Sequence, residues 1–138
     1  MRYIIDTCFW IALYSPEKEP EQSVEAEIIS ELIETSTIYI PYPTLYEFLN
    51  SKFSRKGLVF NFEKLLSRPN FIKVYDEKYR EKSMSDFFEK AIKYKNDVSL
   101  VDEIIKGMIE DKKLKIDYLV SFDEGLKNFA LSRGLKTN

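Results

Sequence analysis

Four short runs of apolar residues, rich in β-branched and aromatic side chains, predict the strands of this protein. The runs cover residues 3–5, 37–40, 71–75 and 118–121. No Asn-Gly or Asp-Gly hairpin joins them, and longer segments with apolar residues at helical spacing lie between them. Crossover helices of this kind connect parallel strands and cover both faces of the sheet. The pattern therefore predicts an α/β fold: a three-layer α/β/α sandwich with a mainly parallel central sheet of four to five strands.

The predicted helices alternate with these strands along the whole chain. They are expected over residues 8–13, 24–33, 58–66, 76–94 and 99–111, with a further helix opened by Thr44 and a last one running through Phe129. The chain has 138 residues, is 44% hydrophobic and contains only four glycines, so it has enough material for one packed core. We predict a single domain over residues 1–138.

Charge and composition narrow the class of function. A net charge of -2 argues against a broadly basic nucleic-acid surface, although it leaves room for a local basic groove. The chain contains no histidine, which removes Ser-His-Asp and Cys-His nucleophiles and most catalytic zinc sites. Any catalysis must therefore depend mainly on carboxylates.

Other features bear on the compartment. Cys8 is the only cysteine, so no intrachain disulfide forms, and its simplest role is that of a small buried apolar side chain. No apolar run approaches the roughly 18 residues that span a bilayer, and the N-terminal run is interrupted by Asp6 without a cationic leader. We expect a cytoplasmic protein that does not associate with membranes.

Four acidic residues lie where an apolar run ends or a helix begins: Asp6, Glu47, Asp102 and Asp123. Asp6 and Asp123 follow predicted strands, but each is also well placed to cap the next helix. Glu47 lies three residues after Thr44, the spacing of a capping box, and Asp102 lies three after Ser99. Taken singly, each acid therefore has a structural alternative.

Together, the four acids indicate a single site. Strand ends and the starts of the following helices share one edge of a parallel sheet, so all four are expected to converge there. Packed carboxylates repel one another and stay ionised only when a cation neutralises them. Oxygen ligands of this kind select Mg²⁺ or Mn²⁺. Thr7 and Ser121 lie nearby and either orient these carboxylates or serve as turn and cap residues. Spacing alone leaves Asp97 and Glu103 as rivals of Asp102.

Four short motifs, in this order and spacing, resemble those of the PIN-domain ribonucleases, including the toxins of VapBC-type toxin-antitoxin pairs. The motifs are IIDT at 4–7, LYEF at 45–48, VSLVD at 98–102 and LVSFD at 119–123, so the resemblance covers nearly the whole chain. It implies a PIN-like fold and metal-dependent endonucleolytic cleavage of RNA. In that case Asp6, Glu47, Asp102 and Asp123 are the metal-site acids, and Thr7 or Ser121 supports them. The resemblance favours Asp102 over its rivals.

The chain also departs from the family pattern. Few residues follow Gly134, so a final edge strand is expected to be short or absent, and no arginine adjoins the acids. Lys52, Arg55 and Lys56 are candidates for contacts with the RNA backbone, although a solvated helix face is their ordinary role.

The resemblance further implies an antitoxin partner and a homodimer. Tyr42 and Tyr46 are candidates for stacking on an unpaired base, against an ordinary core or surface role. Two other functions remain open at this point: an inactive PIN-like module that binds a protein, and a structure-specific DNA nuclease of the same fold.

Overall fold

A computed structural model describes residues 1–51, 56–94 and 99–138. Its strands are β1 (Arg2–Ile5), β2 (Thr37–Pro41), β3 (Phe71–Val74), β4 (Tyr118–Val120) and β5 (Lys136–Thr137). They form one parallel sheet in the order β3-β2-β1-β4-β5. In its register, Ile4 of β1 pairs with Tyr39 of β2 on one side and with Leu119 of β4 on the other. The register brings the exits of the inner strands side by side.

Seven helices connect and flank the strands in the described residues. They are α1 (Thr7–Tyr14), α2 (Pro20–Leu32), α3 (Tyr42–Leu49), α4 (Lys56–Leu66), α5 (Arg80–Tyr94), α6 (Leu100–Glu110) and α7 (Glu124–Ser132). None of the helices in these ranges has the length and apolar character that a membrane span requires.

Alternate strand residues pack on opposite faces of the sheet, as the period of two in a strand requires. One core contains Ile5, Ile38, Ile40 and Val120 together with Phe9, Trp10, Phe48 and Phe62 from α1, α3 and α4. The core on the other face contains Ile4, Tyr39 and Leu119 together with Ile105, Met108 and Leu126 from α6 and α7. Each face of the sheet is therefore covered by helices, which confirms the predicted three-layer α/β/α sandwich.

The final edge strand, expected to be short or absent, is present with two residues and pairs with β4. Other elements differ from the prediction in detail. The helix predicted over residues 76–94 begins with a 3-10 turn, Glu77–Tyr79, before α5. This turn accompanies the burial of Tyr79, whose ring packs so closely on Gly107 that a Cβ there would lie 3.3 Å from the ring. The Tyr79 hydroxyl donates to Asp111 Oδ2 at 2.6 Å.

Candidate active site

An open groove of about 630 Å³ lies at the carboxyl edge of the sheet. Five acids line it, and we call it the acidic groove. One is Glu19, and the other four, Asp6, Glu47, Asp102 and Asp123, are those that the sequence singled out. These four come from the exits of β1 and β4 and from the first half of α6 and the second half of α3. The parallel sheet has gathered side chains that lie up to 117 positions apart in the sequence.

Asp6 is both a helix cap and a groove residue. It is 6% exposed and is the N-cap of α1, where its Oδ1 accepts the Thr7 N–H at 2.7 Å. Its Oδ2 accepts the Ser121 hydroxyl at 2.8 Å and the Cys8 thiol at 3.4 Å. Burial raises the pKa of Asp6, and the charge of Asp123 adds to that effect. Capping and a place in the groove are therefore not alternatives for this residue.

Asp123 repeats this arrangement at the exit of β4. It is the N-cap of α7, and its Oδ2 accepts the Leu126 N–H at 2.8 Å. Its own N–H donates to the Ser121 hydroxyl oxygen at 3.0 Å. Because the fully buried Ser121 also donates to Asp6, this one hydroxyl links the two strand-exit acids.

Glu47 reaches the groove from α3 rather than capping that helix. The helix begins at Tyr42 after Pro41, so Thr44 is already inside it. The capping box considered for Thr44 and Glu47 is therefore wrong, because the prolines near the strand exit start the helix earlier. Instead, the Thr7 hydroxyl donates to Glu47 Oε1 at 2.6 Å. This bond joins the start of α1 to the acid on α3.

The pKa of Asp102 gives the clearest evidence that the four acids interact electrostatically. Its N–H donates to the Ser99 hydroxyl oxygen at 3.2 Å, so Ser99 caps α6 and the Asp102 carboxyl faces the groove. Burial, followed by the charges of Asp6, Asp123 and Glu47, raises the pKa of Asp102 to about 7. The four acids therefore form one electrostatic unit.

The rivals of Asp102 have different positions. Glu103 is buried and forms ion pairs with Lys90 at 2.8 Å and with Lys106 at 3.4 Å. It lines a separate cavity between α5, α6 and α7. Asp97 lies outside the described residues.

Three cations were predicted to contact RNA: Lys52, Arg55 and Lys56. Lys52 and Arg55 lie outside the described residues. The backbone of Lys56 is described as the first residue of α4, but its side chain is not.

Sequence reasoning missed two kinds of groove residue. Cys8 was expected to be an inert apolar side chain, but its sulfur also accepts the Phe122 N–H at 3.2 Å, and it lines the groove. Its position two residues after Asp6 was the available signal. Glu19 and Gln22 also line the groove, and only the packing of α2 on α1 brings them there.

The donor chemistry of the groove suits a divalent cation. The four acids at the strand exits and on α3 and α6 offer hard carboxylate oxygens, and their mutual repulsion is what a bound Mg²⁺ or Mn²⁺ would offset. Within the described residues, no three acid or thiol groups are already close enough together to share one ion. Like charges keep such side chains apart until a cation neutralises them.

The fold and the groove define a class: a parallel α/β/α protein with a carboxylate cluster at the carboxyl edge of its sheet. The family model for the PIN domain matches residues 3–131, and the chain belongs to this family. This confirms the resemblance inferred from the four motifs.

The chain is also similar to a chain in the crystal structure of VapBC2 from Rickettsia felis bound to a DNA fragment from their promoter. The sequence identity is 16%, the match covers 100% of this chain and 98% of that chain, and the TM-score is 0.62. At this identity, the likeness concerns the fold. Comparison with curated protein sequences gives no match.

Proposed function

We propose that this protein is a Mg²⁺- or Mn²⁺-dependent endoribonuclease that hydrolyses phosphodiester bonds in the acidic groove. The observation that carries the proposal is the convergence of Asp6, Glu47, Asp102 and Asp123 on one open groove from separate parts of the chain. Burial and the charges of the other three acids raise the pKa of Asp102 there. A protein gains nothing in stability from packing unneutralised carboxylates together, so such a cluster is typical of a functional site. Membership of the PIN domain family supports the same function.

Asp6, Glu47, Asp102 and Asp123 are the residues that would hold the cation. When bound, Mg²⁺ or Mn²⁺ lowers the pKa of a coordinated water and offsets charge on the phosphodiester oxygens.

Two buried hydroxyl groups orient these acids. Ser121 fixes Asp6, and Thr7 fixes Glu47, through the hydrogen bonds described above. Because both hydroxyls donate to a carboxylate, they restrict its rotation without removing its negative charge.

The test compares the wild type with Asp6→Asn on single-stranded and structured RNA, in Mn²⁺ and in EDTA. Asparagine also caps helices well, so this variant keeps the start of α1 while losing a charge. We expect cleavage by the wild type only, and only with metal. Asp86→Asn, which changes a partly exposed acid paired with Lys82 on α5, is the matched control and should cleave normally. Equal cleavage by the wild type and Asp6→Asn would refute the proposal.

We also propose that the protein is the toxin of a toxin-antitoxin pair and acts as a homodimer. Support comes from the VapBC2 assembly to which the fold is similar. It also comes from α2, which exposes Val24, Ile28 and Leu32 at 61%, 56% and 74% on one side of the helix. Glu27 and Glu31 lie beside this stripe, so it suits an antitoxin segment that is apolar with basic flanks.

Induction of the chain in a bacterial host tests the toxin role. The wild type should arrest growth, Asp6→Asn should not, and co-expression of the antitoxin from an adjacent small reading frame should restore growth. Sedimentation of the purified protein tests the homodimer. Unimpeded growth with abundant wild-type protein would contradict the toxin role.

One observation favours a second function, that of an inactive PIN-like module that binds a protein. It is the exposed apolar side of α2, formed by Val24, Ile28 and Leu32. Titration with Mn²⁺ separates the two functions, because an inactive module should show no saturable binding at millimolar metal. Flapped DNA, added to the cleavage assay, tests for a structure-specific DNA nuclease.

A further inference from the structure

Three tyrosine rings form a contiguous surface next to the acidic groove. Tyr42 directly follows β2 and Tyr75 directly follows β3, and the register of these strands pairs the preceding residues, Pro41 and Val74. The rings of Tyr42 and Tyr75 have centroids 4.8 Å apart at an angle of 31°. Tyr46 lies one helical turn after Tyr42 in α3, with ring centroids 6.2 Å apart. We call this surface the tyrosine platform.

The platform is anchored on one side and exposed on the other. Tyr42 is partly buried and packs against the core that contains Phe48. Tyr46 and Tyr75 are 61% and 71% exposed, so large parts of both rings face solvent. Tyrosine has few rotatable bonds, and contact with the anchored ring restricts both neighbours further. Binding a flat partner there would therefore cost little conformational entropy.

The sheet places the platform in line with the acids. Along the carboxyl edge, the exits of β3, β2, β1 and β4 carry Tyr75, Tyr42, Asp6 and Ser121 in that order. Neighbouring strands are about 4.8 Å apart, so the backbone of Tyr42 lies roughly one strand spacing from that of Asp6. Tyr46 also immediately precedes Glu47 in α3. The platform thus continues the acidic groove towards the β3 edge.

Two cations accompany these rings. Lys73 is exposed and lies two residues before Tyr75, so both project from the same side of the chain as it leaves β3. Arg80 is 56% exposed and pairs with Asp76, the residue after Tyr75. Aromatic faces beside positive charges are the combination that binds single-stranded nucleic acid, with bases stacked on the rings and phosphates near the cations.

We propose that Tyr42, Tyr46 and Tyr75 form a stacking subsite for an unpaired base next to the bond cleaved in the acidic groove, with Lys73 near the adjoining phosphate. This inference rests on the proposed ribonuclease function and names its substrate class as single-stranded RNA. In an A-form duplex the faces of the bases are covered by their neighbours, so a stacking surface favours unpaired segments. The subsite would favour single-stranded over double-stranded RNA. It would discriminate little between base sequences, since every base has a flat face.

Binding is measured by fluorescence anisotropy with the full chain carrying Asp6→Asn, so that the RNA stays intact. The probes are a labelled single-stranded RNA of about 12 nucleotides and a hairpin whose stem contains the same sequence. We expect Tyr46→Ala and Tyr75→Ala each to weaken single-strand binding about tenfold and to leave hairpin binding within about twofold. Tyr46→Phe and Tyr75→Phe should bind like the parent, because the ring is retained.

Phe88→Ala is the matched control, because Phe88 is an aromatic residue of α5 that is 55% exposed and lies outside the platform. It should not change either Kd. Unchanged single-strand binding in both alanine variants, or equal losses for single-stranded RNA and hairpin, would overturn the subsite.

Cleavage by the otherwise wild-type chain is measured separately. If the wild type does not cleave RNA while the alanine variants still lose single-strand binding, the ribonuclease function fails and the stacking subsite stands. If the wild type cleaves and the alanine variants bind single strands normally, the ribonuclease function stands and the stacking subsite fails.

Discussion

Asp102 and Glu103 are consecutive residues of α6, but they enter two opposite electrostatic environments. Asp102 faces the acidic groove, where the charges of Asp6, Asp123 and Glu47 surround it. Glu103 faces the ion-paired cavity, a space of about 430 Å³ between α5, α6 and α7, where Lys90 and Lys106 neutralise it. The ion-paired cavity has more charged residues in its lining than the groove, so charge density alone does not distinguish a site from a structural network.

The difference lies in which charges dominate around each acid. In the ion-paired cavity, hydrogen bonds from Lys78 and Tyr79 lower the pKa of Asp111 to about 2. In the acidic groove, burial and like charges raise the pKa of Asp102 to about 7, against a smaller opposing effect of the Lys106 charge. The cavity therefore supplies its own counter-ions, whereas the groove contains repulsion that an external cation would relieve.

The largest expected effect is on catalysis. Asp102→Asn should reduce RNA cleavage in Mn²⁺ by about 10³-fold, because it removes one of the proposed metal ligands. Glu103→Gln changes the adjacent residue by the same chemistry and should keep cleavage within about threefold of the wild type. Both rates are measured on one RNA under single-turnover conditions. Comparable losses of cleavage rate in the two variants would contradict the assignment of catalysis to the groove rather than to the cavity.

For stability, the larger loss is expected from the cavity variant Glu103→Gln rather than from the groove variant Asp102→Asn. Glu103→Gln leaves Lys90 and Lys106 facing a neutral amide, and we expect the free energy of unfolding to fall by about 2 kcal/mol. Urea unfolding of the metal-free protein at pH 8 measures this change. Lys82→Met, which removes an exposed pair with Asp86, is the control and should cost well under 1 kcal/mol. If Glu103→Gln lost no more stability than Lys82→Met, the buried ion pair would not stabilise the fold.

The metal-free protein should lose stability as pH rises through the range in which Asp102 ionises. Its pKa is about 7 in the folded protein and about 3.9 in the unfolded chain, so between these values the folded state holds more protons. The free energy of unfolding therefore decreases from about pH 4 to about pH 7 on this account.

Asp102→Asn should remove part of this slope and, because water screens the half-buried side chain, raise stability at pH 8 by about 1 kcal/mol. Urea midpoints measured in EDTA across this pH range provide the comparison. An unchanged slope in the variant would mean that Asp102 is not the group that titrates.

The smallest effect is expected at Asp111 and has the opposite sign. Its pKa is lowered to about 2, below the value of about 3.9 in the unfolded chain, so its stabilising contribution is present above pH 4. It is lost progressively as pH falls from about 4 to below about 2. Asp111→Asn should cost about 0.5 kcal/mol at pH 7, where its Lys78 partner is largely exposed, and clearly less at pH 2, where about half of the Asp111 side chains are already protonated. An equal cost at both pH values would assign the loss to the Tyr79 hydrogen bond alone.

Much of the fold could be predicted from local pattern. Short β-branched runs without hairpin turns determined the parallel sheet, and its two-residue period determined which strand residues enter each core. The positions of Asp6 and Asp123 followed from the same pattern, because a strand exit places its next residue at the sheet edge. These features depend on residues close together in the sequence.

Tertiary structure decided the rest, because each remaining relation joins residues that are distant in the sequence. The partner of Glu47 is Thr7, 40 positions away, where spacing alone favoured a cap at Thr44. Spacing alone did not separate Asp102 from Glu103, and only the packing of α5 on α6 pairs Glu103 with Lys90.

The tyrosine platform exists only because β2 and β3 are adjacent and in register. Local sequence determines where a side chain lies on its own helix or strand. The charges and rings that it meets there are determined by how those elements pack.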